Sequence, residues 1–144
     1  MTRSLNLILC ISFTACGNND TTEVNGVSDV ESANFEVVAN PLADSPGFRE
    51  FAHYVNMNGL GVYGEQGISE EKMRYVAAVF AELLDNNEDG QWDDPKVFGK
   101  LLDQEAMMPI FAGEGSKAEL EFFHNYDGAG VSAVLYDGEV DPSQ

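Results

Sequence analysis

The sequence predicts an α+β domain of about three helices packed on a small, mainly antiparallel sheet, and three observations carry that expectation. Apolar residues recur at three- and four-residue steps over 70–84, at Met73, Val76, Ala77, Phe80, Leu83 and Leu84, which builds one buried helical face. Helix-capping chemistry stands ahead of this stretch and of two others, at Ser69, at Asp94-Pro95 and at Ser116. Between them lie short runs of β-formers bounded by turn residues. With 144 residues, 44% of them hydrophobic, the chain has room for one domain and tails.

Taken in order, residues 1–15 carry one basic side chain, Arg3, and then an apolar run of the length of a signal-peptide core. That run is too short to span a bilayer, which takes about 20 apolar residues. Residues 17–46 are rich in Asn, Thr, Ser, Asp and Glu with two prolines, Pro41 and Pro46, and read as a flexible acidic linker. Within it, 35–39 have the composition of an edge strand. The folded domain is expected over 47–144. Phe51, Val55 and Met57, then Asn58-Gly59, then Leu60, Val62 and Tyr63 give a hairpin, because Asn-Gly suits a turn whose two central residues both need positive φ. Ser69 caps the first helix, with Glu70 and Glu71 at the positive end of its dipole.

A second helix starts at Pro95 behind Asp94, runs through Val97, Phe98, Leu101 and Leu102, and ends near Gln104. Met107, Met108, Ile110 and Phe111 form a short buried strand, and Pro109 argues for an edge or a strand end. Ser116 and Glu119 make a capping box for a third helix through Leu120, Phe122 and Phe123. Residues 131–136 complete the set as a strand between Asp127-Gly128-Ala129-Gly130 and Asp137-Gly138. No internal repeat is visible.

The formal charge of −18, from 25 acidic and 7 basic residues, excludes unaided binding to nucleic acid, which needs clustered Lys and Arg to displace counterions. An acidic surface also repels anionic lipid, so membrane association is expected through an anchor and not through the folded surface. The stretch Phe13-Thr14-Ala15-Cys16 resembles the lipobox of bacterial lipoproteins. The resemblance implies that residues 1–15 are a signal peptide and that Cys16 is acylated after export. The mature protein would then face the cell envelope, at the outer membrane or toward the periplasm, tethered through Gly17-Asn18-Asn19-Asp20. Cys10 leaves with the leader, so no disulfide is expected.

Between the first two helices lies Asp85-Asn86-Asn87-Glu88-Asp89-Gly90-Gln91-Trp92-Asp93-Asp94, which sets oxygen-bearing side chains on alternate residues around a glycine. This resembles the front half of an EF-hand calcium loop. The resemblance implies side-chain ligands from Asp85, Asn87 and Asp89, the main-chain oxygen of Gln91, and Asp93 directly or through water, with Gly90 making the sharp turn. The sequence departs from that family where Lys96 replaces its closing Glu, so Asp93 or Asp94 would close the loop. Trp92 stands where the family has an aliphatic residue, and no second hand is visible. Affinity is expected to be weak, about 10⁻⁴ to 10⁻³ M, as in extracellular modules. The bland reading is an acidic helix connection whose Asn, Asp and Gly serve local turns.

His53 and His124 lack metal-ligand spacing and read as surface or packing residues. Asp127-Gly128-Ala129-Gly130 lacks the end of a phosphate loop and reads as a turn, Met107 and Met108 read as core, and Glu139 with Asp141 as chance neighbours in an acidic chain. The expectation is therefore an exported, lipid-anchored binding or scaffold module, with one structural calcium site and an unknown envelope protein or glycan partner. Two alternatives are a non-metal acidic lipoprotein and a truncated or reduced relative of a larger secreted enzyme family.

Overall fold

A computed structural model describes residues 35–87, 89–127 and 129–143. The leader, Cys16 and the linker up to residue 34 lie outside the described residues. The protein is α+β: three helices pack on a five-stranded mixed sheet ordered β1-β2-β3-β4-β5. The strands are β1 (Val37–Ala39), β2 (Phe51–Met57), β3 (Leu60–Glu65), β4 (Met107–Phe111) and β5 (Leu135–Tyr136). The helices are α1 (Glu70–Leu84), α2 (Pro95–Asp103) and α3 (Lys117–Asn125).

The β2-β3 hairpin forms as the Asn-Gly pair dictates, with Asn58 at φ 51° and Gly59 at φ 100°, and Met57 facing Leu60 in register. Its turn is fastened by the Gly59 N–H donating to the Asn56 side chain at 2.7 Å. β1 adds antiparallel to β2, so the packed body begins ahead of residue 47. Asn40 makes this possible. Its buried amide donates to the carbonyls of Phe48 (2.7 Å) and Phe51 (3.1 Å) and accepts from the Leu42 N–H, which closes the turns between β1 and β2 without leaving a buried polar atom unpaired.

The sheet is mixed and not antiparallel throughout: β1-β2 and β2-β3 are antiparallel. β3-β4 and β4-β5 are parallel, because the chain leaves the far end of β3 and α1 and α2 carry it back to the end of the sheet where β3 began, as a helical crossover requires. Pro109 is likewise not at an edge: it lies fully buried in β4, between β3 and β5. Met107 exchanges hydrogen bonds with Gly130 and Ser132 on the β5 side, and Pro109, two residues on, points its nitrogen the same way. There the chain has left the sheet, between an isolated bridge at Val131 and the start of β5, so the missing N–H breaks no ladder bond. For the same reason the strand expected over 131–136 shortens to Leu135–Tyr136.

Each face of the sheet has its own core. α1 covers one face with Met73, Val76, Ala77 and Phe80 over Val55, Val62, Met108 and Ile110. α3 covers the other with Ala118 and Phe122 over Phe48, Phe51, Tyr63 and Phe111, an aromatic set in edge-on contact, as in Phe51 against Phe122 at 5.7 Å and 88°. An irregularity in register between Phe51 and His53 leaves Ala52 as an extra residue, and this turns Phe51 onto the α3 face while Val55 and Met57 stay under α1. Since the strand order advances in one direction while α1 and α3 lie on opposite faces, the two parallel crossovers have opposite hands, and one is the uncommon left-handed form. Among the described residues no helix is long and apolar enough to cross a membrane.

Candidate functional site

The acidic loop begins where α1 runs out. Asp85 is the C-cap of α1 and is buried, at 4% exposure. Its carboxylate turns into the loop and accepts the N–H groups of Asp89 (3.2 Å) and Gly90 (2.8 Å). Gly90 takes φ 78°, a left-handed backbone that costs glycine nothing and folds the loop back sharply. Asn87 accepts from the Asp89 N–H at 3.0 Å, and Asp89 accepts from the Gln91 N–H at 2.9 Å, so each short acidic or amide side chain closes a turn two residues on.

The return half is pinned to the first. The Asp93 N–H donates to the last carbonyl of α1, on Leu84, at 2.9 Å, and the Asp93 carboxylate accepts the Asn86 N–H at 3.1 Å. Asp94 caps α2 as its sequence predicts, accepting from Lys96 (2.9 Å) and Val97 (3.3 Å). Trp92 stacks on Phe98 of α2 at 4.2 Å and 12°, which ties the loop to the helix that follows it.

The structure thus places Asp85, Asn87, Asp89, Gln91, Asp93 and Asp94 in one compact connection between α1 and α2, with Asp94 spent on the cap. Among the described residues no group of three or more His, Cys, Asp or Glu is positioned to hold a metal ion. Glu88 lies outside the described residues. The donor chemistry remains that of a hard-cation site, all oxygen, and a carboxylate oxygen that accepts one N–H keeps a second lone pair. His53 stands on β2, opposite Ala39 and Gly64, and His124 lies in the last turn of α3.

A second feature escapes a reading of the sequence. Near the hairpin turn, at the margin of the aromatic core, Tyr54, Tyr63, Gly61 and Glu105 border a cleft of about 360 Å³. Burial pushes the Tyr63 hydroxyl well above the usual tyrosine range, and the neighbouring Tyr54, Tyr126 and, least, Glu105 add to the effect. The Tyr54 hydroxyl is raised by burial too. One signal was visible: α2 ends on Gln104 and Glu105, where helices favour glycine.

Compared with protein-family models, with curated proteins and with solved structures, the chain matches none.

Proposed function

We propose that this protein is an exported lipoprotein, anchored to the cell envelope by acylation of Cys16, whose domain serves as a binding or scaffold module with a structural calcium site in the loop 85–94. The observation that supports the calcium reading most directly is Asp85. Its carboxylate is buried at the head of an oxygen-lined turn, and none of the ion pairs among the described residues involves it. A buried charge is costly when only neutral groups surround it. Asp89 and Asp93 stand in exposed positions, each accepting a backbone N–H, and their free lone pairs remain available to an ion held beside Asp85. When bound, calcium supplies the missing positive charge. The chain's own part is to hold Asp85 in place through Asp89 and Gly90 and to pin Asp93 to the end of α1, so that the two helix ends are fixed relative to each other.

A second reading has its own support. The carboxylates of Asp85, Asp89, Asp93 and Asp94 each already accept at least one backbone N–H, which suffices for an acidic connection closed by local turns with no metal. Calcium titration of the purified chain, followed by heat and by the fluorescence of Trp92, separates the two. Saturable binding lost in Asp85→Asn/Asp89→Asn, with a rise in melting temperature, is the expected result. Stabilisation reaches roughly 2.7 kcal/mol when free ion is a hundredfold above Kd. No response several-fold above about 10⁻³ M selects the metal-free reading. The anchor is tested separately, by incorporation of labelled fatty acid into the chain and its loss in Cys16→Ser.

A further inference from the structure

We propose that the cleft between Tyr54, Tyr63 and Glu105 is a binding site for an organic ammonium group. It is separate from the acidic loop, none of whose described residues lines it.

The cleft follows from the backbone. On the α3 face of the hairpin, position 61 carries no side chain, and the rings of Tyr63 and Tyr54 fill the space above it: a Cβ on Gly61 would stand 2.7 Å from the Tyr63 ring and 3.2 Å from that of Tyr54. The rings meet at 4.9 Å between centroids and 45°, and Pro41 and Leu42 close the β1 side. Neither hydroxyl makes a hydrogen bond among the described residues. Buried side-chain polar atoms without a partner are absent among those residues, so both hydroxyls keep some contact with solvent, and both residues border the cleft.

Glu105 breaks a local rule to be there. The Glu105 and Ala106 N–H groups return to the carbonyls of Leu102 and Leu101, which is the helix-ending motif that places its left-handed residue at 105. Glycine is favoured at that position, yet the chain carries Glu at φ 51°. A strained residue kept against local preference points to a demand made by the site. Glu105 borders the cleft, and its carboxylate makes no ion pair or hydrogen bond among the described residues.

The chemistry of the walls selects the ligand. Aromatic faces and a carboxylate both attract positive charge, and no Lys or Arg borders the cleft, so anions are disfavoured. One carboxylate is too few for a hard metal ion, which takes six or more oxygens. An alkylammonium fits, with its charge against Glu105, its N–H groups toward the tyrosine hydroxyls and its carbon stem on the rings.

The test is a titration of the full chain by amide NMR, reading the resolved glycine signals of Gly59 and Gly61. The probes are n-butylammonium, tetramethylammonium and Nα-acetyl-lysine amide, with neutral n-pentanol as the isostere. Saturable shifts with the cations, at Kd on the order of 1 mM, and none with pentanol, support the site. Preference for the lysine derivative over n-butylammonium assigns the ligand to a protein side chain, and the reverse to a free amine. Glu105→Gly removes the carboxylate and relieves the backbone, so the expected variant melts at the same or a higher temperature while binding roughly three-fold or more weakly. Glu105→Gln, which keeps the side-chain length, weakens binding similarly. Equal response to pentanol, no saturable shift up to about 50 mM, or undiminished binding by Glu105→Gly and Glu105→Gln overturns the proposal.

Discussion

The two ends of α2 carry opposite relations between sequence and backbone. At its front, glycine occupies the left-handed position, Gly90 at φ 78°, and Asp94 caps the helix with its own carboxylate. Every residue there is the one local chemistry selects. At its back, the left-handed position is occupied by Glu105, and the chain that closes over it is Gly130, at φ 81°, whose missing Cβ leaves room for the carbonyls of Gln104 and Glu105. The front end can be understood from ten consecutive residues. The back end requires a segment some twenty-five residues away, so its sequence answers to packing and to the cleft and not to local preference.

Substitutions at each end sharpen this contrast. The largest effect is expected at Gly130→Ala. A Cβ there would lie 2.3 Å from the Gln104 carbonyl oxygen, which is backbone and cannot swing aside, and a non-glycine residue at φ 81° adds strain. Chemical denaturation should show a loss of about 3 kcal/mol. Asp85→Ala comes next, at about 2 kcal/mol in calcium-free buffer, because it strands the Asp89 and Gly90 N–H groups in a half-buried turn. Asp85→Asn should recover part of that loss. Asp94→Ala removes the cap from Lys96 and Val97 and should cost about 1 kcal/mol, with urea midpoint as the readout and an unchanged slope. The smallest change has the opposite sign: Glu105→Gly should stabilise by about 0.5 kcal/mol, the relief of left-handed strain exceeding glycine's entropy cost. If Glu105→Gly destabilised instead, the contrast between the two ends would fail, since glutamate would then be the residue that local structure prefers.

Much of the fold was legible because it is written in short-range chemistry. The bounds of α1 followed from Ser69 and a single apolar stripe, those of α2 from Asp94-Pro95, and the hairpin from Asn58-Gly59. The acidic loop was legible as a connection for the same reason: alternating Asp and Asn around Gly90 close turns within two to five residues. What it holds is a different matter, because gathering Asp85, Asp89 and Asp93 at one centre depends on side-chain positions that alternation alone leaves open. Pro109 misled because the rule against proline in a central strand assumes a paired neighbour, and β5 is unpaired opposite that nitrogen. Strict alternation along β2 puts Phe51 on the same face as Val55, and the irregularity at Ala52 moves it to the other.

By itself, then, the sequence determined the α+β class, the three helices with their caps, the hairpin and its turn, and the placing of six candidate oxygen ligands in one loop. Each depends on residues within one turn or one hairpin of each other, where propensity and capping energies act directly. Only the tertiary structure decided that β4 and β5 run parallel to β3, that α1 and α3 take opposite faces, and that Tyr54, Tyr63 and Glu105 border one cleft. Those outcomes join segments that no single turn or hairpin connects, and they are set by which apolar faces can be buried together, a property of the whole chain that no local pattern contains.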